Sequence, residues 1–250
     1  KVIYGDITKI GDFAFKECYL LEKLNIPETL TTIVASDTKN PFAKAYKVIF
    51  EGGNDIYSVV DGTLYYNDAV NNKKEIIRQN PNNKIAEDEE LSAVAYSLCG
   101  MVVEKLTIPR NVTFEGNNIL NGSKGDTIRL TKRFEEHVKY EELLSETMYN
   151  EYKFHENETS IPTKCFMNSD SSFIQIPNGI KEIGEQAFYG CDGITSIVVP
   201  SSVEKLYFEP FHTMSKLTTI TFDGDVPPVR VANTSGAESI LSKLGDITIK

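Results

Sequence analysis

The chain has no tryptophan, and its 250 residues include only three histidines, four cysteines and four methionines. So few imidazoles and thiols leave little material for metal or nucleophile chemistry. There is no Cys-x-x-Cys pair, and His137, His155 and His212 stand apart from any His-Glu-x-x-His, Gly-x-Ser-x-Gly or glycine-rich phosphate-loop context. No run of about 18 apolar residues occurs, which excludes a membrane-spanning helix. Basic residues are outnumbered, 26 Lys plus Arg against 36 Asp plus Glu, giving a net charge of −10. That balance favours solubility and runs against a general nucleic-acid role, because phosphate binding needs a basic surface.

The chain does contain a repeated block of the form Ile-Gly-x-x-Ala-Phe-x-x-Cys-x-x-Leu/Ile-x-x-Ile/Leu-x-Ile/Val-Pro. Its clearest copies run from Ile10-Gly11 to Pro27 and from Ile183-Gly184 to Pro200. The steps Pro177 to Pro200, Phe188 to Phe211 and Ile183 to Leu206 are each 23 residues, which predicts a solenoid of stacked units rather than a globular core. Weaker copies begin at Leu91, Ile161 and Leu206, with partial ones at Pro41-Phe42-Ala43 and Ile119-Leu120. Lys1 and Lys250 both fall inside repeats, so a trimmed segment of a longer protein is expected.

Each unit reads physically. The Leu/Ile-x-Ile/Val triplet alternates with period two, as a short strand with one buried face requires, and the following Pro stops it. The Ala-Phe-x-x-Cys stretch has the spacing of one helical or 3-10 turn, which would stack Phe15, Phe42, Tyr96, Phe166, Phe188 and Phe211 as an internal ladder. Cys18, Cys99 and Cys191 would share one inward slot, and Cys165 would replace the Ala before the Phe. One such Cys per turn is a small buried hydrophobe rather than half of a disulfide. Two excursions, 54–90 and 131–158, break the rhythm. The first carries Val60-Asp61-Gly62-Thr63 and an Asn71-Asn72 turn before Ile76-Ile77-Arg78, which predicts a β-hairpin. In the second, His137, Tyr140, Leu144 and Met148 fall on one helical face, which predicts an inserted amphipathic helix.

The Ala-Phe-x-x-Cys core, the Ile-Pro strand endings and the irregular unit Tyr57–Tyr65 resemble the BspA-like leucine-rich repeat family over nearly the whole chain. The resemblance implies an α/β fold class, a right-handed solenoid of about 23-residue repeats with a parallel strand wall, short turns opposite and the helical insertion, all as one unit over 1–250. It also implies a secreted or cell-surface protein engaged in adhesion or protein binding, with no cofactor and no metal.

If the strand triplets point inward, their neighbours face out on a concave wall: Lys23, Asn25, Lys47, Ile49, Lys105, Thr107, Thr127, Arg129, Phe173, Gln175, Ser196, Val198, Thr219 and Thr221. None of these is acidic. The basic and apolar members Lys23, Lys47, Ile49, Lys105, Arg129, Phe173 and Val198 are the candidate contact residues for a protein or acidic glycan partner. β-propensity alone also keeps acids off strands. The pairs Glu135-Glu136 and Glu141-Glu142 read as a solvated face rather than an acid/base pair, and Asp223-Gly224-Asp225 as a turn. The expected function is thus non-enzymatic recognition outside the cell. The alternative is a structural spacer in a larger surface protein, and a hydrolase would need an acid, base or metal cluster.

Overall fold

The computed structural model describes residues 6–36, 38–87, 89–226 and 228–231, together with the short strand at 248–249. In chain order the strands are β1 (Lys9–Ile10), β2 (Lys23–Ile26), β3 (Thr32–Ile33), β4 (Ile49–Gly52), β5 (Tyr57–Val60), β6 (Thr63–Asp68) and β7 (Lys73–Arg78). They continue with β8 (Leu91–Ala93), β9 (Lys105–Ile108), β10 (Val112–Phe114), β11 (Lys124–Leu130), β12 (Met148–Lys153) and β13 (Ser160–Ile161). The last are β14 (Glu182–Ile183), β15 (Ser196–Val199), β16 (Lys205–Leu206), β17 (Thr219–Phe222), β18 (Val229–Arg230) and β19 (Thr248–Ile249).

These strands stack as the rungs of a β-solenoid. One wall holds the longer rungs, paired in parallel as β2–β4, β9–β11–β12 and β15–β17–β19. A second parallel row is made by the two-residue strands that open the units, with Ile10, Ile33, Ile161, Ile183 and Leu206 at the inward position, as in β1–β3 and β13–β14–β16–β18. The expected alternation holds on the long rungs: Leu24, Ile26, Val48, Phe50, Leu106, Ile108, Ile128, Leu130, Ile174, Ile176, Ile197, Val199 and Ile220 are all buried. Only Phe222, on the last of these rungs with side chains described, stays partly exposed.

The third side is a stack of turns rather than of helices. Pairs of residues four apart, Phe13/Glu17, Tyr96/Gly100, Asn118/Gly122, Glu142/Glu146, Lys164/Asn168, Gln186/Gly190 and Glu209/Thr213, all have φ between 46° and 69°. The residue midway between them points inward. Its N–H donates to the next turn: Phe15 to the Pro41 carbonyl, Leu98 to Ile119, Leu144 to Cys165, Phe166 to Ala187 and Phe188 to Pro210. A helical turn would close these donors on its own carbonyls, whereas the left-handed corners aim them along the solenoid axis. The α/β assignment is therefore corrected. The one helical element among the described residues is a single 3-10 turn, Phe134–Glu136.

The same corners correct the ladder. Tyr96 occupies a left-handed corner and is half-buried, while Leu98 takes the inward position and Met101 the slot assigned to Cys99. The ring stacks are Phe15 on Phe42 at 5.6 Å, Phe166 on Phe188 at 5.2 Å and Phe188 on Phe211 at 5.6 Å. Leu98, Leu120 and Leu144 fill the interval.

The hairpin at Tyr57–Pro81 is present, as an antiparallel meander β5–β6–β7 whose far edge pairs in parallel with β8. Its first turn has two residues, Asp61 and Gly62, both at positive φ as a tight hairpin demands. The meander is buried on both faces. Leu64 and Ile77 pack with Leu24, Phe42 and Val48, whereas Tyr65 and Ile76 join the long core that runs to Ile220. Here Arg78 goes fully inside, donating to the carbonyls of Ala45 and Gln79 at 3.1 Å and of Ser97 at 3.4 Å. Three backbone acceptors bind the two terminal nitrogens of a guanidinium that makes no ion pair among the described residues, and its buried Nε has no partner.

The helical insertion expected at 131–158 is overturned. The segment is another rung: β12 pairs with β11 in register from Lys124↔Met148 to Arg129↔Lys153. Tyr149 and Tyr152 are buried three residues apart because Asn150 and Glu151 both face out, which hides the period of two. Glu158 closes the unit from inside, its carboxylate accepting from the N–H groups of Phe134 (2.8 Å), Thr159 (3.0 Å) and Ser160 (3.3 Å).

Candidate functional site: the outer face of the strand wall

The wall is not one uninterrupted sheet. β4 ends against the meander, where the Phe50 N–H donates to the carbonyl of Gly62 in the hairpin turn. This separates β2 and β4 from β9. A second break follows β12: no backbone hydrogen bond joins residues 173–176 to β12 on one side or β15 on the other. Hydrogen-bonded rungs resume at β15.

The seven candidate residues fall into three groups on this face. Lys23 is exposed at the start of β2 and level with Ile49, which is half-buried. Lys47 is exposed just before β4. Lys105 and Arg129 project from β9 and β11, in register with Thr127 and Thr107 respectively. Phe173, 54% exposed, lies in the unladdered segment, and Val198, 46% exposed, projects from β15. The outward direction is as expected for all of them, although the meander divides Lys23, Lys47 and Ile49 from the rest.

The acid-free character of the face is corrected. Glu51 stands beside Asn25 on β4 and binds the Lys23 ammonium at 2.8 Å, raising that ammonium's pKa through the hydrogen bond and its charge. Glu151, on the rung mistaken for a helix, is level with Thr127, accepts from its hydroxyl at 3.2 Å and pairs with Lys153 at 3.1 Å. Lys47, Lys105 and Arg129 make no ion pair among the described residues. Only Glu51 was visible to reading by triplets, one position past the last inward Phe50. Glu151 was hidden by the bulged rung.

The residues that could have suggested catalysis have structural partners. His137 is buried, its ring stacked on Phe114 at 4.2 Å and its Nδ1 accepting from the Phe114 N–H at 3.1 Å. Burial, and to a lesser degree the Lys132 charge, lowers its pKa to about 4, so the ring is neutral. Glu136 pairs with Arg110 at 3.1 Å, and Glu142 accepts from the Asn118 amide at 2.9 Å. The Cys165, Cys191 and Cys99 thiols are buried, and Cys18 is half-exposed. Among the described residues no three His, Cys, Asp or Glu side chains are grouped to hold a metal ion, and no helix is long and apolar enough to cross a membrane.

Stacked parallel rungs, a left-handed corner at each turn and an inward Phe or Leu between corners describe one kind of repeat. The BspA type leucine rich repeat region matches in six copies, over residues 2–47, 89–170 and 159–231. The chain belongs to the BspA-type leucine-rich repeat family. The unmatched interval, 48–88, is largely the meander, where a BspA-type turn is replaced by antiparallel strands. A crystal structure of a leucine rich cell surface protein from Faecalibacterium prausnitzii is similar in fold, with a TM-score of 0.50 and 20% identity. The likeness covers 82% of this chain and 48% of that one, so the BspA-type segment spans about half of that protein. A leucine-rich repeat protein from Bacteroides ovatus aligns at 14% identity and a TM-score of 0.31, over 100% of this chain and 89% of that one. No curated protein matches the chain.

Proposed function

We propose that this BspA-type solenoid is a non-enzymatic recognition module displayed outside the cell, binding a protein or glycan partner in adhesion through the outer face of its strand wall. The observation that carries the reading is the set of cations left uncompensated there, Lys47, Lys105 and Arg129, in a protein of net charge −10. Several exposed lysines elsewhere have acidic neighbours, as in Lys181–Glu204 at 2.5 Å and Lys205–Glu182 at 2.6 Å, whereas Lys9 and Lys124, like the wall cations, make no ion pair among the described residues. Free cations speed encounter with an acidic partner, and the exposed Phe173 and Val198 add apolar contact area that holds it. Lys23, neutralised by Glu51, contributes little to this field. The cell-surface setting draws on the family and on the Faecalibacterium protein described as a cell surface protein.

The test is affinity and rate measurement against a partner isolated on the immobilised chain. Lys47→Glu with Lys105→Glu is expected to weaken binding and flatten its salt dependence, and Phe173→Ala to raise the off-rate. Wild-type behaviour in both variants would remove the wall as the site and favour the spacer role.

A further inference from the structure

The second break in the wall opens a shallow groove of about 450 Å³ between β12 and the segment after it, lined by Arg129, Lys153, Gln175 and Asn178 with Tyr152 and Phe154. We infer that this groove is a subsite for a hexuronate residue of an acidic polysaccharide, with Arg129 pairing to the sugar carboxylate. The inference rests on the reading of the wall as a binding face and names the ligand chemistry at one place on it.

Arg129 and Lys153 stand directly opposite each other on β11 and β12. Like charges at such positions destabilise a sheet unless something between them is anionic. Glu151 binds Lys153 at 3.1 Å, but Arg129 has no carboxylate within ion-pair distance among the described residues. Its planar guanidinium is therefore available for a two-point contact with a carboxylate. Around it the groove supplies the amides of Gln175 and Asn178, which both donate and accept as sugar hydroxyls require. Phe154, half-buried beside the groove, supplies ring surface for the apolar face of a pyranose, while the Tyr152 ring is packed in the core below it. Gln175 lies in the segment 173–176, which no backbone hydrogen bond joins to β12 or β15.

One uncommitted cation set among amides and a ring matches a ligand with a single charge and many hydroxyls. An acidic peptide would call for several free cations in a row, and Lys153 is already held by Glu151, which leaves Arg129 alone in the groove. The groove is shallow, so it suits a sugar inside a chain that carries its carboxylate on the ring, rather than an enclosed chain end.

The experiment titrates the whole chain with tri-galacturonate and with neutral galactotriose, by calorimetry. The acidic trisaccharide is expected to bind about tenfold tighter or more. Arg129→Gln should abolish that preference, and Lys9→Gln, exposed on β1 and outside both the groove and the contact set, should keep it. Thermal unfolding of both variants at the wild-type temperature confirms their fold. Equal affinity for the two sugars, binding of neither, binding of poly-glutamate in their place, or an intact preference in Arg129→Gln each overturns the proposal. Those outcomes leave the wall reading standing, because that reading falls only if the Lys47/Lys105 and Phe173 variants keep wild-type affinity for their own partner.

Discussion

Tyr46 lies on Gly100 so closely that a Cβ on the glycine would sit 2.4 Å from the ring. The same ring covers Gly122, where a Cβ would meet it at 2.8 Å, and its hydroxyl donates to Asn121 at 3.2 Å. Beside it the Lys44 ammonium reaches Glu146 at 3.0 Å. These contacts span the place where the meander supplies strands in place of a turn, and they tie the turn at 42–45 to three later turns.

Gly100→Ala is therefore expected to cost about 1–3 kcal/mol, combining overpacking against Tyr46 with a left-handed backbone at φ 67°. In a Tyr46→Ala background the same substitution should cost less, because the clash is gone and only the backbone penalty remains. Urea unfolding of the four proteins measures this coupling, and strict additivity would show that the ring does not rest on the glycine.

Phe188→Ala is expected to lose about 3–5 kcal/mol, since Phe188 is fully buried between Phe166 and Phe211. In the third unit the residue that matters is Leu98. Leu98→Ala should cost about 2–5 kcal/mol, and Tyr96→Asn, at a corner that suits Asn, clearly less. Equal losses at 96 and 98 would restore Tyr96 to the ladder.

Thr213 holds a β-branched side chain at φ 56° on an exposed corner. Thr213→Gly is expected to stabilise the protein by up to about 1 kcal/mol, because relief of the left-handed strain outweighs the extra freedom of the unfolded chain. A lower denaturation midpoint for this variant would show that the Thr hydroxyl or methyl contributes more than the strain costs.

His137 makes stability pH-dependent. Its folded pKa is about 4 against an ordinary 6.5, so between those values the unfolded state binds the extra proton. The stability is fully present above the unfolded value and drains away as pH falls from 6.5 toward 4, by about 3 kcal/mol in total. His137→Gln should flatten this slope in urea titrations compared across that window. An unchanged slope would mean that other groups set it.

Thiol reagents should reach Cys18 first, as the one half-exposed cysteine. Burial pushes the Cys191 thiol up to about 12 and the Cys165 thiol well above its ordinary value, so neither offers thiolate near neutral pH. Mass spectrometry of partly labelled protein should find the other three unmodified while Cys18 is complete. Simultaneous modification of all four would place these turns in an open state.

The sequence by itself determined the rungs. Alternation and a terminating Pro act within five residues, so Leu24/Ile26 or Ile197/Val199 declare their buried face locally. Asn71-Asn72 declared the turn between β6 and β7 in the same way, whereas the tighter turn at Asp61-Gly62 was not read from the sequence. Only the tertiary structure decided what sits between rungs. The corner residues donate to a neighbouring turn rather than to their own, so their register depends on a partner about one repeat away. Local spacing therefore put Tyr96 where Leu98 belongs. Segment 131–158 shows the same limit: His137, Leu144 and Tyr140 have helical spacing only because inward positions on different sides of the coil happen to fall there. Pairing with β11 and burial of Tyr149 and Tyr152 outweigh a helix-favouring run of Glu and Lys. On the outer face of the wall, the triplets announced which side chains point out, but Glu51 beside Lys23 and the absence of any such partner for Arg129 among the described residues are distances between rungs, which stacking alone establishes.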